Sequence, residues 1–314
     1  MEKDKRKIYE VFQETSGLLT EQRNPRTMDL DTLSIREILE RIHAEDRRVL
    51  DAVQAVLPDV EKAVEIYVET FKRGDRIFYV GAGTSGRLGV LDAAELPPTF
   101  GTRPWQVQGL IAGGYGALVR AVEGAEDLEE YGVEDLKERG VTARDFVIGL
   151  AASKRTPYVV GALKYARSIG AKTALITAIP KDQVDVQVDV LICPVVGPEV
   201  VTGSTRMKAG TAQKLILNMI STAAMIRMGK VYENLMVDLW ATSYKLLARS
   251  VRVVMTVTGL EYKEAERLLE EAGGSVKVAI VMALAKVPRE VAQQALEKAD
   301  GFVRQALQIL QKTT

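Results

Sequence analysis

The sequence holds one cysteine, Cys193, and one histidine, His43, among its 314 residues. A single thiol forms no disulfide within the chain and builds no thiolate-rich zinc or iron–sulfur cage, so this cysteine usage fits a reducing compartment. A single imidazole, set in the helix-like run Leu39–Val49, leaves multi-histidine metal sites and histidine-based triads short of parts. Neither sign of charge is in excess, since 42 Lys plus Arg balance 42 Asp plus Glu. Nucleic-acid binders and polybasic membrane readers usually carry a positive surplus, so neither kind of partner is expected. No apolar run approaches the roughly 20 residues that span a bilayer, and the stretch Met1 to Glu14 is charged rather than apolar. These absences predict a cytoplasmic protein without a metal centre, whose chemistry falls to carboxylates, hydroxyls, lysines or backbone groups. What is present, 47% hydrophobic and 27% charged residues, is the balance of a soluble globular chain. At about 150 residues per domain the length suggests two units.

Along the chain, Ile38, Leu39, Ile42, Val49, Val53, Val56 and Leu57 recur largely at spacings of three and four, which predicts helices up to about residue 72. Ahead of them, Thr20 to Pro25 reads as an irregular polar segment, because Asn24 before Pro25 is disfavoured in a helix. The middle changes character. Short apolar or β-branched runs at Arg76–Val80, Val107–Ile111, Phe146–Leu150, Thr173–Thr177 and Val190–Cys193 alternate with helix-like stretches. That alternation predicts a parallel sheet flanked by helices. From about Val251 only helical periodicity remains, at Lys263–Glu271, Val276–Lys286, Arg289–Ala299 and Phe302–Gln311. The expected division is therefore residues 1–60 as a polar segment with helices, 61–250 as an α/β domain and 251–314 as a small helical bundle.

Gly81-Ala82-Gly83-Thr84-Ser85-Gly86-Arg87 follows the first predicted strand and opens a helix, matching G-x-G-x-x-G in its proper context. A dinucleotide site would need an acidic residue at the end of the second strand, yet that strand ends Ile111-Ala112-Gly113-Gly114. A nucleotide P-loop would need Gly-Lys-Ser/Thr, which is missing. The loop offers instead two adjacent hydroxyls beside backbone amides at a helix N-terminus, a combination suited to a phosphate monoester. Similar turns occur at Ser153 to Thr156 and at Thr202 to Arg206. Serine and threonine also cap helices, and for each turn alone that account holds as well. Three such turns on one edge of a parallel sheet favour an anion site. Arg206, Lys208 and Lys214 suit a phosphate by charge and suit a solvated helix surface equally.

At these residues the chain resembles a sugar isomerase (SIS) domain, a phosphosugar-binding fold, and more narrowly the N-acetylmuramic acid 6-phosphate etherase family. The similarity lies in Thr20–Pro25, Tyr79–Pro98, Val107–Gly114, Arg120–Asp127, Arg155–Tyr158, Pro194–Pro198, Thr202–Asn218 and Val231–Asp238. The resemblance implies an SIS-type parallel-sheet sandwich with N-terminal helices and a C-terminal bundle of ubiquitin-associated-like type. It also implies a lyase without metal or organic cofactor, which releases D-lactate from N-acetylmuramic acid 6-phosphate and leaves N-acetylglucosamine 6-phosphate. The family's functional glutamates fall on Glu95 and Glu126. Its phosphate-binding hydroxyls fall on Thr84, Ser85, Ser153 and Thr156, beside Gly83, and Ser204 and Thr205 join them from their place near the same edge. Two departures stand out: Lys154 occupies a usual glycine position, and Ser243 an expected asparagine. A non-catalytic phosphosugar regulator is the alternative, because SIS domains serve there too, and an aldose–ketose isomerase is a third reading.

The implied chemistry suits this composition. Once the sugar ring opens, the C1 aldehyde acidifies the C2 proton, and elimination of the C3 lactyl ether needs only a base and an acid. Glu95, expected near a helix end stopped by Pro97-Pro98 and beside apolar Leu96, faces an unfavourable dipole as an anion and is assigned the acid role. Glu126 becomes the base, although Glu123, Asp127, Glu129 and Glu130 beside it also describe an ordinary solvated acidic face. Ten helical residues from Ser85 to Glu95 rise about 15 Å, more than the reach of a hexose phosphate. A homodimer in which Glu95 serves the partner's phosphate loop is therefore expected.

Overall fold

The computed structural model describes residues 9–13, 15–153, 156–240 and 243–312. They cluster into two compact units, one formed by residues up to Ala93 with Val107–Ile220, the other by Ala94–Gln106 with the residues from Ser221 onward.

The first unit begins with α1 (Ile35–Ala55) and α2 (Leu57–Lys72). Ser34 starts α1 through a capping box, its side chain accepting from the Glu37 amide while the Glu37 carboxylate accepts from the Ser34 amide. Then come β1 (Ile77–Gly81), α3 (Gly83–Phe100), β2 (Val107–Ile111), the single turn α4 (Gly116–Val119), α5 (Glu129–Glu138), β3 (Phe146–Leu150), α6 (Pro157–Ser168), β4 (Lys172–Ile176), β5 (Val190–Ile192) and α7 (Lys208–Arg227). The strands pair in the order β2-β1-β3-β4-β5, all parallel. Every residue of β1 and β3 is buried, which is why their sequences read as continuous apolar runs rather than alternating ones. Phe78, Val80, Val147 and Leu175 form one core with Val159 and Leu163 of α6. From another side, α3 lies so close that a Cβ on Gly89 would sit 2.9 Å from the Tyr79 Cβ, and one on Gly109 2.5 Å from the Val90 Cα.

Each predicted strand is present within one residue of its expected bounds. One local expectation fails: Pro97 and Pro98 do not stop α3, which continues to Phe100. Proline forfeits an amide and crowds the carbonyl four residues back, but its φ is helical, so two prolines in a final turn are tolerated. The stop falls instead to Gly101, at φ 64°, whose amide donates to the Pro97 carbonyl at 2.9 Å.

The second unit adds β6 (Val231–Tyr232) and β7 (Leu235–Met236), an antiparallel pair, then α8 (Tyr244–Thr258), α9 (Tyr262–Glu271), α10 (Val276–Ala285), α11 (Arg289–Lys298) and α12 (Val303–Gln311). Val254, Ile280, Val281, Ala292 and Val303 share its core. The expected boundary at 250/251 falls inside α8. Ser243 caps that helix, accepting from the Leu246 amide at 3.3 Å. Serine and asparagine are equivalent at an N-cap, so this departure is locally neutral.

Candidate functional site

In a parallel sheet all strands end on one edge, and here Gly81 of β1 pairs with Leu150 of β3, so the two following turns leave side by side. The β1–α3 turn is tight: a Cβ on Gly86 would lie 2.6 Å from the Gly81 carbonyl oxygen, and Gly83 sits at φ 52°. Thr84 is half-buried and Ser85 buried at the start of α3. Ser85 Oγ donates to Gln213 Oε1 on α7 at 2.8 Å.

The β3–α6 turn carries Ser153 and Thr156, both on the wall of a cleft of about 470 Å³ shared with Glu129, Lys164 and Thr177. Glu126 is held against this turn. Its carbonyl accepts from the Tyr158 amide at 3.0 Å, two residues beyond Thr156, and its side chain is half-buried. Two glycines make that approach possible. A Cβ on Gly132 of α5 would fall 2.0 Å from the Tyr158 carbonyl oxygen, and one on Gly161 of α6 2.2 Å from that of Glu129. Lys154 lies outside the described residues.

The third turn reaches the first. Gly210 of α7 would place a Cβ 3.4 Å from Thr84 Cγ2 and 3.5 Å from the Thr205 carbonyl oxygen, so Thr84 and Thr205 flank one helix turn. Ser204 and Thr205 are half-buried. Beneath them the start of α7 is rooted in charge. The Glu199 carboxylate accepts from the Lys208 and Ala209 amides at 3.0 and 2.9 Å. Burial pushes this carboxyl upward against those two amides and Lys208. Lys208 is fully buried and donates to Glu45 Oε2 at 2.8 Å and the Val196 carbonyl at 2.9 Å. It is therefore neither a phosphate partner nor a surface residue, while Arg206 and Lys214 are exposed. Glu45 also binds the Arg26 guanidinium and accepts from Asn24 at 2.9 Å. Arg26 first, then Lys208 and Asn24, hold its carboxyl below the usual range despite burial.

Thr84, Ser85 and Thr205 each lie against α7, Ser153 and Thr156 line one cleft, and Glu126 is tied to the head of α6 through its backbone carbonyl. Glu95 lies on the stretch of α3 that clusters with the second unit, and it is exposed rather than shielded by apolar neighbours. Gln213, Glu45, Glu199 and Asn24 were not predicted as site residues. A signal existed for Glu45, which stands three residues after Ile42 and four before Val49, on the apolar stripe of α1 where a charge requires a buried partner. Among the described residues no cluster of three His, Cys, Asp or Glu side chains could hold a metal ion, and no helix is long and apolar enough to cross a membrane.

The five-stranded parallel sheet with hydroxyl-bearing turns on its C-terminal edge is that of an SIS-domain protein by the match of residues 59–167 to the glucokinase regulatory protein N-terminal SIS domain. The chain belongs to the N-acetylmuramic acid 6-phosphate etherase family. It is 56% identical over 299 residues to the N-acetylmuramic acid 6-phosphate etherase of Salinibacter ruber, covering 95% of this chain and 96% of that protein. The corresponding protein of Cronobacter sakazakii is 54% identical over 292 residues, 93% of this chain and 98% of its own. Among solved structures, a phosphoheptose isomerase from Francisella tularensis aligns with a TM-score of 0.45 at 14% identity, over 62% of this chain and 99% of that one.

Proposed function

We propose that this chain is a carbon–oxygen lyase that cleaves the D-lactyl ether of N-acetylmuramic acid 6-phosphate, giving N-acetylglucosamine 6-phosphate and D-lactate. The observation that carries this is the identity above one half over nearly the whole of two etherases. A regulator is less well supported, since the glucokinase regulatory likeness covers residues 59–167 alone. The substrate is a small sugar phosphate, with no nucleic-acid or membrane partner, and the compartment is the cytoplasm.

In this reading Gly83, Thr84, Ser85, Ser153, Thr156, Ser204 and Thr205 hold the 6-phosphoryl group. The adjacent ends of β1 and β3 support that arrangement, and so does the placement of Thr84 and Thr205 beside Gly210 of α7. Glu126, beside the Thr156 turn, takes the C2 proton of the open-chain sugar. Glu95 gives its proton to the departing lactate oxygen as the C3–O bond breaks. Water then adds across the C2–C3 double bond, its oxygen to C3 and a proton to C2. No external oxidant or reductant enters, and the two carboxyl groups end as they began.

Glu95 acts in this scheme across a homodimer, on the phosphate loop of the partner. Its place ten helical residues beyond Ser85, about 15 Å of rise, supports the sharing. Two experiments test the proposal. Incubation with N-acetylmuramic acid 6-phosphate should release lactate, and tight binding without lactate would point to the regulator. Mixed dimers of Glu95→Gln and Glu126→Gln chains should recover activity that neither variant has alone. If they recover none while the parent is active, the sharing is wrong.

A further inference from the structure

Gln213 raises a question that the phosphate reading does not answer. It is 1% exposed and Ser85 is 7% exposed, and their side chains meet at 2.8 Å between Ser85 Oγ and Gln213 Oε1. Gln213 Nε2 is buried with no hydrogen-bond partner. A serine hydroxyl owns one proton. While that proton goes to Gln213, Ser85 offers only lone pairs to a phosphoryl oxygen, which is itself an acceptor. The same placement leaves two amide protons unmet. A half-turn about the Cγ–Cδ bond exchanges Oε1 and Nε2 with almost no change of shape. The amide then donates to Ser85 Oγ, and the hydroxyl proton is free to point into the loop. One amide proton thereby gains a partner, and the group left at the orphaned position is a carbonyl oxygen, which burial tolerates better than an N–H. Gln213 stands on α7, whose first turn is fixed by the Glu199 carboxylate and the buried Lys208–Glu45 pair, so its reach to Ser85 is set by the scaffold.

We infer that Gln213 is a positioning residue for the sugar phosphate: with ligand bound, its side-chain amide donates to Ser85 Oγ and thereby directs the Ser85 hydroxyl proton onto a phosphoryl oxygen. This rests on the reading of Ser85 as a phosphate ligand. It assigns the neighbouring amide the task of choosing which way the hydroxyl points.

The test uses the full chain and N-acetylglucosamine 6-phosphate as probe, with calorimetric dissociation constants from about pH 5.5 to about pH 9. In Gln213→Glu the carboxyl matches the amide in shape. Protonated, it can donate to Ser85; ionised, it only accepts and also repels the phosphate. Relative to the parent at the same pH, binding should weaken by about threefold or less at the acid end and by at least about 30-fold at the alkaline end. Comparing one variant with itself across pH separates the protonation-dependent loss from a general packing defect, and the uncharged Gln213→Met separates lost donation from repulsion of the phosphate. Gln213→Met, which cannot donate at any pH, should weaken binding about tenfold throughout and raise KM while kcat holds. A Gln213→Glu ratio that is flat with pH, or a Gln213→Met protein that binds like the parent, overturns the inference. Ser85→Ala distinguishes its failure from that of the phosphate reading. If Ser85→Ala binds as the parent does, both fall; if it loses at least about tenfold while Gln213→Glu stays flat, only the role of Gln213 falls.

Discussion

Replacing Glu45 by glutamine should destabilise the first unit more than replacing Lys208 by methionine, and the structure fixes the order. Lys208 has two acceptors, Glu45 and the Val196 carbonyl, and is 0% exposed. Glu45→Gln removes the one carboxylate hydrogen-bonded to this buried ammonium and leaves only the coulombic influence of Glu199. The cost expected is the roughly 3–5 kcal/mol found when one partner of a buried ion pair is removed. Lys208→Met leaves Glu45 with Arg26 and Asn24, so its cost is nearer that of an unmet polar group, about 1–3 kcal/mol. The double substitution should cost less than the two singles together. The assay is urea unfolding at pH 7 followed by far-ultraviolet circular dichroism, with amide hydrogen exchange over Ser204–Gln213. Tryptophan fluorescence is unsuited, because Trp105 and Trp240 both belong to the second unit. Lys208→Met proving the costlier change, or both falling within about 0.5 kcal/mol of the parent as surface substitutions do, would refute the reasoning.

Glu45 is held below the ordinary carboxylate range, so its contribution is present above about pH 4.3 and fades as pH falls toward its lower folded value. The gap between the parent and Glu45→Gln, read from melting temperatures, should accordingly narrow below about pH 4. Glu126→Gln and Glu95→Gln should each lower kcat by about 10²–10⁴ with the affinity for N-acetylglucosamine 6-phosphate nearly unchanged, and a loss confined to KM would remove them from proton transfer. Gly161→Ala should cost about 1–3 kcal/mol and reduce lactate release, since its Cβ would meet the Glu129 carbonyl and push α5 from the helix beside Glu126. Cys193 is buried and its thiol is pushed up to about 11 by desolvation. Iodoacetamide at pH 8 should therefore label the native protein at least about 100-fold more slowly than the urea-unfolded chain.

The strands were legible because both faces of β1 and β3 are covered, so each strand is an unbroken apolar run that no helical period explains. The hydroxyl-bearing turns were legible for a related reason: glycine and hydroxyl residues at strand ends are local signals. The end of α3 was misread because the visible punctuation, Pro97-Pro98, is compatible with a helix, whereas the residue that closes it, Gly101, looks like any loop glycine. Helix α8 escaped notice as a unit because its start depends on Ser243, a single residue, and its apolar stripe was divided by the expected boundary. Glu45, Lys208 and Gln213 were hidden more deeply. Lys208 meets Glu45 across 163 positions and Ser85 meets Gln213 across 128, and no pattern of spacing reports a partner at that range.

Those long-range pairs also change the meaning of the N-terminal polar segment. Read locally, Thr20 to Pro25 is a stretch in which helix is disfavoured and nothing else is favoured. In the fold, the Thr20 carbonyl accepts from the Gly203 amide at 3.1 Å, Asn24 donates to both Glu45 and the Pro198 carbonyl, and the Thr27 hydroxyl donates to the Val200 carbonyl at 2.9 Å. Each of these partners borders the 194–208 loop or the buried pair beneath it. Beyond the single 3-10 turn at Leu19–Glu21 and the turn from Asn24 to Thr27, this segment spends few side chains and carbonyls on its own backbone, and so has them available for a loop without a ladder of its own. The scarcity of local hydrogen bonds there lets the segment brace the turn bearing Ser204 and Thr205. That brace places the start of α7, and through Gln213 the hydroxyl of Ser85, in one fixed frame.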